Sequence, residues 1–196
     1  MTQSNIDLSG DDFEDIDIQL VLDNLAGYTS DEFVEINVLV DEANKAAYDD
    51  LVEFCKRMQS DYIVGKHHRI LANMLMGIER GEKDRICVNI PPRHGKSQLV
   101  SIFFPAWFLG RNPNKKVMMV SHTTDLAVDF GRKVRNLIAT DDYKAIFPTV
   151  SLAVDSKSAG RWNTSVGGEY YACGIGSSIA GRGADLLLID DPPSEQ

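Results

Sequence analysis

The sequence alternates short apolar runs with longer stretches in which apolar residues recur every three or four positions. The apolar runs predict strands at 85–90 (RICVNI), 116–121 (KVMMVS), 169–175 (EYYACGI) and 185–190 (DLLLID). The periodic stretches predict helices over 42–58, 68–80, 97–109 and 123–139. Strands that alternate with helices favour an α/β fold, in which helices flank both faces of a mostly parallel sheet.

Charge is distributed unevenly along the chain. Residues 1–61 contain 16 acidic and three basic side chains, whereas residues 62–196 contain 13 acidic and 17 basic ones. We therefore predict an acidic, helical N-terminal appendage over 1–61 and the α/β domain over 62–196. Apolar residues between positions 18 and 25 favour a short docking helix, and a partly disordered acidic tail fits equally. Because acids repel phosphates, DNA would contact another part of the chain or other chains.

Composition excludes several classes of protein. The cysteines at 55, 87 and 173 form no CxxC pair, which argues against a disulfide scaffold or a zinc site and fits a reducing cytosol. No apolar run approaches the roughly 20 residues that span a bilayer. The acidic N-terminus also lacks the basic and apolar regions of a secretory signal. We expect no membrane partner.

The segment PPRHGKS, residues 91–97, lies between a predicted strand and a predicted helix. A phosphate-binding loop needs inward backbone N–H groups, a helix N-terminus, a lysine and a hydroxyl. Gly95 would let the backbone approach the phosphates, Lys96 would reach the β- and γ-phosphates, and Ser97 would coordinate Mg²⁺. The usual pattern GxxxxGK(S/T) has glycine where this chain has Ile90, and GKS alone also arises by chance. The residues expected around the nucleotide are Pro92, Arg93, His94, Gly95, Lys96 and Ser97.

The segment LLLIDDP, residues 186–192, predicts a buried strand that ends in acids. In P-loop ATPases such an acid holds Mg²⁺, and Asp190 would take that role. Asp191 would orient the attacking water, although aspartate is one methylene shorter than the glutamate often found there, and Glu195 is a second candidate. Asp-Asp-Pro would also suit a turn that ends a strand. The two motifs together, in this order, predict a site for ATP and Mg²⁺.

The glycine-rich segment GSSIAGRGAD, residues 176–185, predicts a mobile loop before the acidic strand. Its Arg182 would lie near the nucleotide and stabilise charge on the transferring phosphoryl group, within the chain or across a subunit boundary. Arg93 competes for this role. The alternative is that Arg182 pairs with Asp185 or is solvated.

The histidines give weaker signals. His67 and His68 are flanked by basic residues, which suits either contact with a nucleotide base or a solvated helix end, and we favour the solvated helix end. His94 has a place in the phosphate loop but no partner for a metal.

Five blocks of the sequence together resemble the large subunit of tailed-phage terminases. They are PPRHGKS (91–97), PAWFLGRNP (105–113), VSHTTDLAVDFGRKVR (120–135), RWNTSVGG (161–168) and GRGADLLLIDDP (181–192). The resemblance implies a P-loop NTPase-type ATPase whose phosphate loop tolerates Ile90. It also implies ATP-driven packaging of double-stranded DNA into procapsids in the host cell cytoplasm, by a homo-oligomeric ring that meets a portal protein and a small terminase subunit. In such a ring an arginine completes the neighbouring site, with Arg182 the first choice and Arg93 the second.

The chain differs from this family in its length. Family members continue past the acidic strand with a coupling segment and a nuclease domain, whereas this sequence ends at Gln196. We therefore expect only the ATPase part, incomplete at its C-terminus, and no nuclease activity. Two alternatives remain, namely a helicase-like DNA translocase that shares both nucleotide motifs, and a non-enzymatic fragment that binds nucleotide or a partner.

Overall fold

A computed structural model describes residues 30–156, 158–177 and 181–192. The helices are α1 (Ser30–Asp49), α2 (Leu51–Met58), α3 (Lys66–Glu79), α4 (Lys96–Gln98), α5 (Phe104–Arg111), α6 (Thr124–Ile138) and α7 (Asp141–Ile146), with a π-helical segment (Leu99–Phe103) between α4 and α5. The strands are β1 (Lys116–Ser121), β2 (Arg161–Asn163), β3 (Glu169–Gly174) and β4 (Leu186–Asp190). The chain divides into two compact units, Met1–Glu42 and Ala43–Gln196. Within the described residues, no helix has the length and apolar character that crossing a bilayer requires.

The four strands form one mixed sheet in the order β2-β3-β1-β4. β1 runs parallel to both β3 and β4, and β2 pairs antiparallel with β3. Ser121 at the end of β1 lies opposite Gly174 of β3 and Asp190 of β4. The carboxyl ends of the three parallel strands therefore meet at one edge of the sheet. The prediction of an α/β fold with a mostly parallel, helix-flanked sheet is confirmed.

Helix α6 packs closely on one face of the sheet. A Cβ on its Gly131 would lie 2.6 Å from the backbone oxygen of Ala159 and 3.0 Å from the ring of Tyr170, so a larger residue would push the helix away. Trp162 of β2 stacks on Tyr170 with ring centroids 4.9 Å apart and donates its indole N–H to the Gly131 carbonyl. The buried core lies between this face and the helices.

The opposite face of the sheet is open along β4. Because side chains alternate along a strand, Leu187 and Ile189 point away from the buried Leu186 and Leu188. They are 55% and 58% exposed. The expectation that helices cover both faces is therefore not met at this strand in the described residues.

The predicted strand at 85–90 does not join the sheet. Ile86, Val88 and Ile90 are half-buried against the core, and the residues between them are exposed, so the alternation that suggested a strand is present. In the described part of the chain, however, no strand pairs with this segment. A ladder needs a neighbouring strand to supply its hydrogen bonds, and the sequence of one segment does not reveal its neighbour.

The helix predicted over 42–58 is two helices. Asp50 interrupts it with extended backbone dihedrals (φ −126°, ψ 128°) and caps α2. Its Oδ1 accepts hydrogen bonds from the backbone N–H groups of Val52 (2.7 Å) and Glu53 (3.1 Å). Aspartate is among the preferred residues at this position because it satisfies donors that have no partner within the helix.

The helix predicted over 97–109 forms, but with a π-helical segment near its start. Pro105 has no backbone N–H, so the carbonyl of Ser101 lacks its usual donor four residues later. Just before this point, the Phe104 N–H bonds to the Leu99 carbonyl five residues back. This inserts one extra residue into the turn, a feature that occurs frequently near functional sites.

Candidate functional site

The lysine of the predicted phosphate loop meets both acids at the end of β4. Lys96 Nζ lies 3.2 Å from Asp190 Oδ1 and 2.9 Å from Asp191 Oδ1. Asp190 is only 6% exposed, whereas the side chain of Asp191 is 69% exposed. The hydrogen bond to Asp191, followed by the contacts with Asp190, raises the pKa of Lys96, while partial burial opposes this. Two motifs 95 residues apart thus bring a cation and two carboxylates to the carboxyl edge of the sheet.

The backbone of the loop enters the left-handed region twice, at Arg93 (φ 65°) and at Gly95 (φ 74°). Positive φ is easy for glycine but uncommon for arginine. Gly95 is the N-cap of α4, so Lys96 and Ser97 are the first residues of the helix. Pro92, Arg93 and His94 are exposed, and Lys96 and Ser97 are half-buried.

Ser101 is a site residue that the sequence did not indicate. It lies in the π-helical segment, is fully buried, and donates its hydroxyl hydrogen bond to Asp190 Oδ2 at 2.9 Å. The hydroxyl of Ser121 donates to the backbone carbonyl of Asp190, also at 2.9 Å. Both carboxylate oxygens of Asp190 and its backbone carbonyl therefore have partners, namely Lys96, Ser101 and Ser121. The available signal was a lone serine in the apolar run LVSIFF, since a buried hydroxyl needs a partner.

We expect Ser101→Ala to lower the free energy of unfolding by about 1–3 kcal/mol, because the buried Asp190 carboxylate would lose a charge-assisted hydrogen bond. Urea denaturation at pH 7 measures this change. Ser60→Ala is the matched control, since Ser60 is exposed and should shift stability by less than about 0.5 kcal/mol. Equal effects of the two substitutions would contradict the role given to Ser101.

The histidines at the start of α3 form part of the site, which corrects their interpretation as a solvated helix end. The Nε2 atoms of His68 and His67 lie 3.0 Å and 3.2 Å from the carbonyl oxygen of His94. His94 Nδ1 lies 2.9 Å from the carbonyl oxygen of Pro92. His68 is buried, with 8% of its surface exposed. The sequence showed only that two histidines begin a helix, and contacts across 26 residues are not visible in a local pattern.

Arg182 lies at the opposite end of the sheet from Lys96. Its guanidinium carbon is 4.1 Å from the ring centre of Tyr171, and its Nη1 is 3.6 Å from Glu169 Oε1. Arg182 also lines a surface pocket with Lys116. Glu169 and Lys116 begin β3 and β1, so this is the amino edge of the parallel strands. The structure thus does not bring Arg182 to the predicted phosphate loop of the same chain.

The alternative partner of Arg182 has a different role. Asp185 Oδ2 accepts a hydrogen bond from the backbone N–H of Lys116 at 2.8 Å. Arg93, the competing arginine, is exposed in the loop beside Lys96.

The loop and the end of β4 provide oxygen atoms that could hold a metal ion together with a phosphate ligand. No group of three or more His, Cys, Asp or Glu side chains is arranged to hold a metal in the ranges 30–156, 158–177 and 181–192. Mg²⁺ at nucleotide sites uses one or two protein oxygens and completes its shell with waters and phosphates. The Asp190 carboxylate and the Ser97 hydroxyl are oxygen donors of that kind.

Residues 87–195 match the family described as "Terminase large subunit, T4likevirus-type, N-terminal". The matched region contains the loop and the acidic strand, and covers more than half of the 196 residues. No curated protein and no solved structure gives a significant match.

Proposed function

The chain belongs to the T4-like family of terminase large subunits, in their N-terminal region, and from this premise we propose that it is the ATPase part of a motor that packages double-stranded viral DNA into procapsids. The observation that carries the proposal is the meeting of Lys96 with the buried Asp190, 3.2 Å apart, at the carboxyl edge of the three parallel strands. Ligands in open α/β sheets bind at this edge. A fixed cation and a fixed carboxylate there suit a triphosphate and its Mg²⁺.

Each residue has a proposed role in this P-loop-type site. Lys96 would bind the β- and γ-phosphates, Ser97 and Asp190 would hold Mg²⁺, and Asp191 would orient the attacking water. When bound, Mg²⁺ would neutralise charge on the triphosphate. The ammonium of Lys96 has three donors, so it can bind a phosphate oxygen and keep a carboxylate. Pro92, Arg93, His94 and Gly95 would surround the phosphates.

The two arginines would act differently. Arg93 would approach phosphates bound in its own chain. Arg182 is at the far edge of the sheet, so a role in hydrolysis would require that it reach a neighbouring subunit in a ring. A homo-oligomeric ring, a portal protein, a small terminase subunit, double-stranded DNA and the host cell cytoplasm are proposed from family membership.

Nucleotide binding and turnover test the proposal. We expect the chain to bind a fluorescent ATP analogue in the presence of Mg²⁺ and to lose most of that binding when EDTA is added. We also expect ATP turnover in a reaction with procapsids, portal protein and double-stranded DNA, and protection of the DNA from DNase. Absence of Mg²⁺-dependent ATP binding would contradict the proposal. Binding without turnover would select the non-enzymatic alternative, and unwinding of a forked duplex without procapsids would select the helicase-like one.

A further inference from the structure

We propose that His68 is a positioning residue for the phosphate loop, because its imidazole connects the start of α3 to the backbone carbonyl of His94. The inference rests on the proposed function, in which this loop binds the phosphates of ATP. His68 itself would not touch the nucleotide. It would hold the peptide that precedes Gly95 and Lys96.

The hydrogen bonds of His68 define a single tautomer. The backbone N–H of Gly65 donates to His68 Nδ1 at 3.0 Å. Since Nδ1 accepts, the proton of the neutral ring is on Nε2. Nε2 therefore donates to the His94 carbonyl oxygen, 3.0 Å away. One ring thus satisfies a donor at the N-cap of α3 and an acceptor in the loop.

The loop is folded directly against this ring. A Cβ on Gly95 would lie 2.6 Å from His68 Nε2, so only glycine fits beside the imidazole. The rings of Tyr62 and His67 also pack against His68, with ring centroids 5.6 Å and 3.9 Å away. The ring has little freedom to turn, and a fixed ring fixes the carbonyl that it binds.

The charge state of His68 agrees with this geometry. Burial lowers its pKa, and the neighbouring His67 and His94 side chains lower it further, while the bond to the His94 carbonyl acts in the opposite direction. The ring is therefore neutral at pH 7, as the bond from Gly65 requires. The gain for binding would be a loop that is ordered before the nucleotide arrives, which removes part of the entropy cost of binding.

Substitutions that keep one of the two bonds separate loop positioning from helix capping. Glutamine retains an amide N–H that can reach the His94 carbonyl, whereas asparagine retains an acceptor for Gly65 but is too short to reach the loop. Phenylalanine keeps the ring and loses both bonds. We expect His68→Gln to bind ATP·Mg²⁺ with nearly the wild-type Kd, and His68→Asn and His68→Phe to bind about threefold to tenfold more weakly.

Two measurements on the 196-residue chain decide the matter, namely titration with a fluorescent ATP analogue and Mg²⁺, and amide hydrogen exchange of residues 93–97 without nucleotide. Exchange should be faster in the asparagine and phenylalanine variants. Asn73→Ala is the matched control, because Asn73 is exposed on the same helix and should change neither readout. Thermal unfolding identifies any variant that does not fold. If the phenylalanine variant does not fold, the comparison of the asparagine and glutamine variants tests the inference.

Three outcomes would overturn the inference. They are an unchanged rate of amide hydrogen exchange of residues 93–97 in the asparagine variant, wild-type ATP affinity in that variant, or weakened ATP binding in the glutamine variant but not in the other two. The last result would assign His68 to capping of α3. If the wild-type chain did not bind ATP·Mg²⁺ while amide exchange in the loop was faster in the variants, the proposed function would be contradicted. The conclusion that His68 positions the loop would still stand.

Discussion

Lys96→Ala is expected to abolish ATP hydrolysis and to weaken ATP·Mg²⁺ binding by at least about tenfold. The ammonium lies at the edge of the sheet between two carboxylates, 3.2 Å and 2.9 Å away, where it would also contact the terminal phosphates. Hydrogen bonds to charged groups contribute about 1.5–3 kcal/mol each, which sets the lower bound on the loss of affinity. Titration with a fluorescent ATP analogue measures binding, and phosphate release measures turnover.

Lys144→Ala is the control for this substitution. Lys144 forms an ion pair of 2.7 Å with Asp141, but the pair is exposed and distant in sequence from the loop. Exposed pairs contribute roughly 0–1 kcal/mol, so this variant should keep its affinity and turnover. If Lys96→Ala hydrolysed ATP at the wild-type rate, the role assigned to Lys96 would be contradicted.

Asp190→Asn should reduce ATP turnover by at least about a hundredfold, because the proposed magnesium ligand would lose its charge. The substitution keeps the shape of the side chain, so an oxygen remains to accept the bond from Ser101. Binding of the ATP analogue should become nearly independent of Mg²⁺. A Mg²⁺ titration of binding and turnover measures both effects.

Asp185→Asn serves as the matched control for Asp190→Asn, since the two acids lie at opposite ends of the same strand. Asp185 precedes β4 and binds the backbone N–H of Lys116 at the amino edge of the sheet. Its substitution should leave the Mg²⁺ dependence unchanged. If both variants lost turnover equally, the effect would come from β4 as a whole and the carboxyl edge would not be the site.

Much of the sheet follows from local sequence. KVMMVS forms a strand at the predicted residues, and the other two parallel strands agree with prediction to within one residue. A run of apolar residues that ends in a polar one has few other ways to be buried, so such strands are marked by their own residues. Lys96 and Asp190 do meet, 3.2 Å apart, as the two motifs predict, although the segment that leads into the loop is not a strand of the sheet.

The remaining features depend on partners that are distant in sequence. The segment at 85–90 has the alternation of a strand but no neighbour in the sheet. Arg182 was expected near the nucleotide, but the ring of Tyr171 and the carboxylate of Glu169 hold it at the other edge. Ser101 and His68 act through contacts that span 89 and 26 residues. A local pattern carries no information on contacts of that range.

The π-helical segment determines the direction in which the residues before it point around the helix axis. In an α-helix each residue advances about 100° around the axis. The extra residue in this turn therefore determines the direction in which the preceding side chains point, relative to α5, of which residues 104–110 are buried. A chain one residue shorter between Leu99 and Phe103 would keep every motif of the sequence. It would nevertheless turn Lys96 by about 100° away from Asp190, so spacing at this point is as important to the site as the identity of its residues.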